Sequence, residues 1–290
     1  MRIGFIGAGT MGTPIAGCLL AAGHRLSVYD IRPAATAALA AQGGTVADSV
    51  GAASEGAEVV FTSLPGPSEV ETVALDPDRG ILARLRPGCT YIDLTTNAPR
   101  TIRLVAEAAA RRGIAFLDSP VSGRPPNMTA MVGGAADDFA RSKPLFEAIA
   151  KNVFHVGPSG AGCVTKLVTQ YLGYTNFIAA LEGLLIAAKA GIDLSVLANI
   201  VPVSAGQSRT FDTSARTVIS RAFASNGSLD IIVKDMDLAV SLAREVGAPA
   251  TLGALAYDAY QRAQAQGLGE EGYPSVAKVL EAMAGVELRQ

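Results

Sequence analysis

The chain has 290 residues, 49% hydrophobic and only 17% charged, with 24 basic and 26 acidic side chains for a net charge of −2. That much apolar content over roughly two domain lengths excludes a disordered chain, and the lack of any Lys/Arg block excludes a nucleic-acid backbone as partner. Cys18, Cys89 and Cys163 are scattered, and with only His24 and His155 beside them they spell neither a disulfide framework nor a metal site, which suits a reducing cytoplasm.

In chain order, the first segment carries no formal charge from residue 3 to residue 23. Glycines at Gly4, Gly7, Gly9, Gly12, Gly17 and Gly23, together with Pro14, interrupt it, so a strand at 2–6, a glycine turn and a helix at 11–22 fit better than a membrane span. Further strands are expected at 25–30, 58–64, 90–94 and 114–118. All are nearly continuous apolar runs, as when helices cover both faces of a parallel sheet. Helices at 34–41, 99–112 and 137–150 complete an alternation that predicts right-handed βαβ units in a doubly wound sheet. Short strands at 128–132 and 152–156 close it. The breaker cluster Gly157, Pro158, Ser159, Gly160 then marks a boundary between domains 1–159 and 160–290.

Beyond that boundary the pattern is all-helical. A long helix is expected at 161–190, stopped by Gly191, followed by helices at 194–201, 229–246, 251–266 and 275–284. A second apolar stretch, 177–192, is broken by Glu182 and Lys189, so it too is read as part of a soluble, non-membrane protein. The small residues Gly173, Ala179, Ala180, Gly183, Ala187 and Ala188 let helices pack closely. The long helix is too apolar to face water on all sides, which predicts a homodimer or homotetramer interface.

The residues Gly7, Ala8, Gly9, Thr10, Met11, Gly12 spell GxGxxG between the first strand and the first helix. Gly7 permits the tight turn, Gly9 admits a pyrophosphate to the backbone, and Gly12 allows close helix-to-strand packing; the helix N-terminus offers N–H donors to phosphate. Asp30 closes the second strand, where its carboxylate can accept hydrogen bonds from both adenosine ribose hydroxyls and repel a 2′-phosphate. NAD is therefore expected, with NADP kept possible by Arg32, which could sit over the adenine or assist a phosphate. No metal is required.

Four more segments carry chemistry: Asp118, Ser119, Pro120, Val121, Ser122, Gly123 after the 114–118 strand; Gly157 to Gly162 leading to Lys166; Thr95 and Thr96 at a strand end; and Lys234, Asp235, Met236, Asp237, Leu238, Ala239 in a late helix. With the glycine turn, these resemble the β-hydroxyacid dehydrogenase family, whose fold is an N-terminal Rossmann domain followed by an all-α domain. The resemblance spans essentially the whole chain. It implies that Lys166 is the catalytic lysine, a base toward an alcohol and an acid toward a carbonyl; that Ser122 and Gly123 hold a substrate carboxylate; that Leu64, Pro65 and Thr96 lie by the cofactor; and that Lys234 lies near cofactor and substrate. A lysine must sit about 3 Å from the reacting oxygen in the right protonation state, and burial or neighbouring positive charge provides the means. His155, beside Gly157, is expected to be structural.

Two departures from the family pattern stand out. Gln170 occupies the place of an asparagine one helical turn after the lysine, with the same donor and acceptor on a longer arm. Arg124, followed by Pro125 and Pro126, replaces a glycine in a shortened loop, and is expected to clamp an anionic substrate group, a carboxylate or a sulfonate. The expected function is hydride transfer between NAD(H) and a small 3-hydroxy acid/semialdehyde pair. The alternatives are reduction of a sulfonated aldehyde or a cyclic imine, and a non-catalytic NAD-binding scaffold or sensor.

Overall fold

The computed structural model describes residues 1–224 and 227–289. Its chain divides into two compact units, Met1–Lys166 and Leu167–Gln290.

The first unit runs β1 (Arg2–Ile6), α1 (Gly12–Ala21), β2 (Arg25–Tyr29), α2 (Ala37–Ala41), β3 (Thr45–Val46), α3 (Val50–Ser54), β4 (Val59–Thr62), α4 (Pro67–Leu75), α5 (Ile81–Arg84), β5 (Thr90–Asp93), α6 (Pro99–Ala110), β6 (Ala115–Asp118), β7 (Val121–Ser122), β8 (Thr129–Gly133), α7 (Ala136–Ile149) and β9 (Asn152–Gly157). The strands order as β3-β2-β1-β4-β5-β6-β8-β7, with β9 on β8. β1 pairs in parallel with both β2 and β4, so the order reverses there, and α/β sheets bind ligands at the carboxyl ends of such neighbouring strands. β8 runs antiparallel to β6 and β7.

Both faces of the sheet are apolar because alternate residues of each strand enter different cores. From β1, Ile3 and Phe5 pack on one side with Ile15 and Leu19 of α1, while Ile6 packs on the other with Val60, Tyr91 and Ile102. α1 buries Gly12, Ile15, Ala16 and Leu19, the spacing of one helical face. The strand expected at 25–30 stops at Tyr29, leaving Asp30 just beyond the sheet. The helix expected at 34–41 is a 3-10 turn, Pro33–Thr36, followed by α2.

α8 (Ala161–Lys189) begins within the first unit. The second unit continues with α9 (Leu194–Ile200), α10 (Arg209–Ile219), α11 (Leu229–Glu245), α12 (Thr251–Ala263) and α13 (Val276–Ala284). Its only strand-like feature among the described residues is a bridge between Ser228 and Gly272. Gly191, with φ +76°, terminates the long helix as its sequence position predicts. Phe177, Leu181 and Leu184 of α8 pack in one core with Met236, Tyr260 and Val276. By length and composition α8 could cross a membrane, with 28% of its most apolar window buried inside the protein. Its other face exposes Val168, Leu172 and Ile186.

Candidate functional site

Strand ends and glycines build the nucleotide turn. Gly7 takes φ +98° and donates its N–H to Tyr29 O at 2.9 Å; a Cβ there would lie 2.2 Å from Ser63 O. At Gly12 a Cβ would lie 1.8 Å from Gly7 O, so both positions require glycine for close approach. Gly9 differs. A Cβ on it would meet nothing nearer than Arg32 Nη2, at 4.0 Å, so its outer face is open. α1 has no side-chain cap and no acidic residue in its first turn, and the first N–H groups of a helix have no intrahelical acceptors. An open glycine turn at an uncapped helix N-terminus fits a dinucleotide pyrophosphate.

Asp30 anchors this turn. Its Oδ2 accepts from Ala8 N and its Oδ1 from Arg32 N, both at 2.8 Å, while Arg32 Nε lies 3.7 Å from Oδ1. Each carboxylate oxygen retains a lone pair for a ribose hydroxyl. The Arg32 side chain is 74% exposed. A cavity of about 950 Å³ is lined by Ala8, Gly9, Thr10, Thr13, Arg32 and Arg124, among others. Leu64 and Pro65 follow β4, and Leu64 N donates to Thr95 Oγ1 at 3.1 Å.

A buried polar lattice that the sequence did not announce supports the next loop. Asp93, at the end of β5, accepts from Thr62 Oγ1 (2.7 Å), Thr95 N (3.1 Å) and Asn97 Nδ2 (3.0 Å). It brackets Thr96, which is half-buried. Burial pushes the Asp93 carboxyl upward, with these donors opposing it.

One strand over, Asp118 pairs in register with Asp93 and serves α8. Its Oδ1 accepts from Gly160 N at 2.7 Å and its Oδ2 from Cys163 N at 2.8 Å. A carboxylate at a helix N-terminus satisfies orphan donors and meets the positive end of the dipole. Glycine is again required: a Cβ on Gly162 would lie 2.5 Å from both Asp118 O and Met131 O. Burial raises the Asp118 pKa to about 6, the Asp93 charge adding to it while the two N–H donors oppose it. The motif contained Asp118, but its role shows only where the glycine-rich junction meets β6. Three residues past Cys163, Lys166 lies 7% exposed.

Ser122 ends β7, half-buried, and pairs with Thr129 of β8. Gly123 turns the chain with φ +79°, and the hairpin carries Arg124 at its tip. His155 Nε2 donates to Gly134 O at 2.8 Å and its ring stacks on Phe139, a structural role.

In the second unit, Gln170 and Lys234 meet at one buried carboxylate. Gln170 Nε2 donates to Asp235 Oδ2 and lies equally close to Tyr174 OH, each at 2.7 Å, and Lys234 Nζ lies 2.9 Å from Asp235 Oδ1. Asp235 belongs to the late-helix motif but had no role from sequence. Spacing alone does not reveal that it orients the Gln170 amide. Among the described residues no cluster of His, Cys, Asp and Glu could hold a metal ion.

Comparison with known proteins resolves the identity. The profile of the NAD binding domain of 6-phosphogluconate dehydrogenase matches residues 2–157, and that of the NAD-binding domain of NADP-dependent 3-hydroxyisobutyrate dehydrogenase matches residues 160–280. The chain belongs to the β-hydroxyacid dehydrogenase family. It is 40% identical to the 3-hydroxyisobutyrate dehydrogenase of Pseudomonas aeruginosa, over 88% of this chain and 89% of that one. To the NAD-dependent L-serine dehydrogenase of the same species it is 34% identical, over 98% and 99%. The structure of 3-hydroxyisobutyrate dehydrogenase from Mycobacterium tuberculosis with L-serine superposes with a TM-score of 0.89 at 29% identity, covering 96% and 98%. The chain is thus an NAD(P)-dependent β-hydroxyacid dehydrogenase with a Rossmann domain and a helical C-terminal domain.

Proposed function

We propose that this dehydrogenase interconverts a small 3-hydroxy acid of the form HOCH2–CHX–COO⁻ and its semialdehyde, with Lys166 as general acid and base. The relatives named for 3-hydroxyisobutyrate and L-serine share that skeleton, differing in X as methyl or amino. The observation that carries the reading is a buried lysine, Lys166, on the helix whose first N–H groups Asp118 caps. A bound nicotinamide supplies or accepts the hydride. The chain's part is to hold the alcohol oxygen, take its proton on Lys166 as the carbonyl forms, and return it in reduction. Ser122 and Gly123 are proposed as the carboxylate contacts and Gln170 as a further substrate contact. Gly7 to Gly12, Asp30, Arg32, Leu64, Pro65, Thr96 and Lys234 are proposed as cofactor contacts. The domains are taken as 1–159 for cofactor and 160–290 for substrate and assembly.

A panel of three- to six-carbon hydroxy acids, their semialdehydes, sulfonated aldehydes and cyclic imines, each followed by absorbance of the reduced cofactor with NAD and NADP, tests the reading. Turnover is expected to be highest with a 2-substituted 3-hydroxypropanoate. Preference for a sulfonate or an imine would overturn the substrate class, and no turnover with any member would favour the sensor alternative.

We also propose that the enzyme is a cytoplasmic homodimer or homotetramer joined through the apolar face of α8. Val168, Leu172 and Ile186 of α8 and Leu252 and Leu255 of α12 are large exposed apolar side chains of the second unit. Large exposed apolar patches mark interaction sites. Sedimentation in detergent-free buffer is expected to show a discrete oligomer, and a monodisperse monomer would sink the proposal.

A further inference from the structure

The sequence suggests that Arg124 holds a substrate anion; the cavity it lines suggests another partner. Arg124 shares the cavity of about 950 Å³ with Ala8, Gly9, Thr10 and Arg32. The lining contains two arginines and no carboxylate, because Asp30, the nearest acid in sequence, is turned to Ala8 N and Arg32 N and is only 8% exposed. The two guanidinium groups approach from different elements. Arg32 comes from the turn after β2 and reaches the open face of Gly9; Arg124 comes from the tip of the β7–β8 hairpin.

We propose that Arg124 reaches back over the Gly9–Thr10 turn to bind a phosphate of the dinucleotide, forming with Arg32 a two-arginine clamp across the cavity mouth. The proposal rests on the cofactor assignment of the glycine turn and not on the substrate reading.

Three physical points favour it. A dinucleotide brings at least two negative charges to the turn. The N–H groups at the start of α1 carry only about half a positive charge through the helix dipole, so side-chain cations are needed to complete the neutralisation. Guanidinium groups match phosphate with paired N–H donors and stay charged throughout the working pH range. The hairpin tip itself has few other donors, because Pro125 and Pro126 lack an N–H. The Arg124 side chain is the charged donor of that tip.

The shared chemistry is a phosphate, with two sources: the pyrophosphate common to NAD and NADP, or the 2′-phosphate of NADP. Equilibrium binding of NADH and NADPH without substrate, read by fluorescence of the reduced nicotinamide, separates them from each other and from any failure of the catalytic reading. For Arg124→Ala the Kd is expected to rise roughly tenfold or more, as for loss of a charge-assisted hydrogen bond. A rise for both dinucleotides assigns the pyrophosphate, and a rise confined to NADPH assigns the 2′-phosphate. Arg124→Lys, which keeps the charge but not the fork, is expected to fall between. The Kd of the wild type should weaken more steeply with added KCl than that of Arg124→Ala. Kd values within twofold of wild type for both dinucleotides, for Arg124→Ala and Arg124→Lys alike, would overturn the proposal. So would an unchanged Kd with a raised KM for the hydroxy acid, which would return Arg124 to the substrate.

Discussion

Lys166→Ala is expected to lower kcat by roughly a hundredfold to ten-thousandfold, the range for removal of a positioned general acid or base, while the Kd for NADH changes little. The loss has a specific origin. Hydride can leave the carbinol carbon only as its hydroxyl proton is taken up, and without an acceptor the alkoxide must form unassisted. Lys166 is buried on α8 in register with two capped N–H groups, so its backbone position is set before substrate arrives. The variant removes a flexible stem from a buried site, so thermal unfolding should be measured alongside. Turnover within tenfold of wild type in a folded variant would remove Lys166 from the acid–base role.

The second large effect concerns Asp118 and is thermodynamic. Burial raises its pKa from an ordinary 3.8 to about 6. A raised pKa in the folded state means that the fold binds the proton more tightly than the unfolded chain does. The contribution of Asp118 to stability is therefore greatest below pH 3.8 and is lost as pH rises to about 6. Above that range the buried charge costs on the order of 3 kcal/mol relative to the protonated form. Asp118→Asn cannot titrate. The stability of the wild type relative to this variant is expected to fall by about that amount between pH 4 and pH 7.5, as read by urea unfolding at each pH. Parallel pH dependences would show that the carboxyl is not held as described. The variant also turns an amide NH2 toward Gly160 N or Cys163 N, so it should reduce kcat more than it raises the KM for the hydroxy acid if the cap positions Lys166. The two N–H donors at the start of α8 offset part of the cost of burying this carboxylate.

Much of the fold was legible because it rests on repetition. β1, β4, β5 and β6 are short apolar runs buried on both faces, and α6 and α11 show an apolar face at helical spacing. Such signals are local and survive without knowledge of neighbours. The missed elements carry little repetition. α3 and α5 are about one turn long, β3 and β7 are residue pairs, and α4 is a short helix entered through Pro67. α10 was readable in principle: Ser208 caps Phe211 N, and Phe211, Ala215 and Val218 fall on one face. Its polar residues between those positions masked the stripe.

The site divides in the same way. By itself the sequence determined the glycine turn, the second strand leading to Asp30, the lysine on a helix after a glycine-rich junction, and the family that combines them. Each depends on a residue type at a fixed spacing, with a backbone reason that acts within a few residues. Only the tertiary structure decided which partners those residues have. It brought Asp118 from the end of β6 to the start of α8, forty-two residues away from Gly160; it joined Gln170 and Lys234 through Asp235; and it set Arg124 on the cavity that Gly9 and Arg32 also line. Hydrogen bonds and charges act over a few ångströms in space, whatever the separation along the chain. Their chemistry therefore becomes specific only after the sheet order and hairpin register have been folded into place.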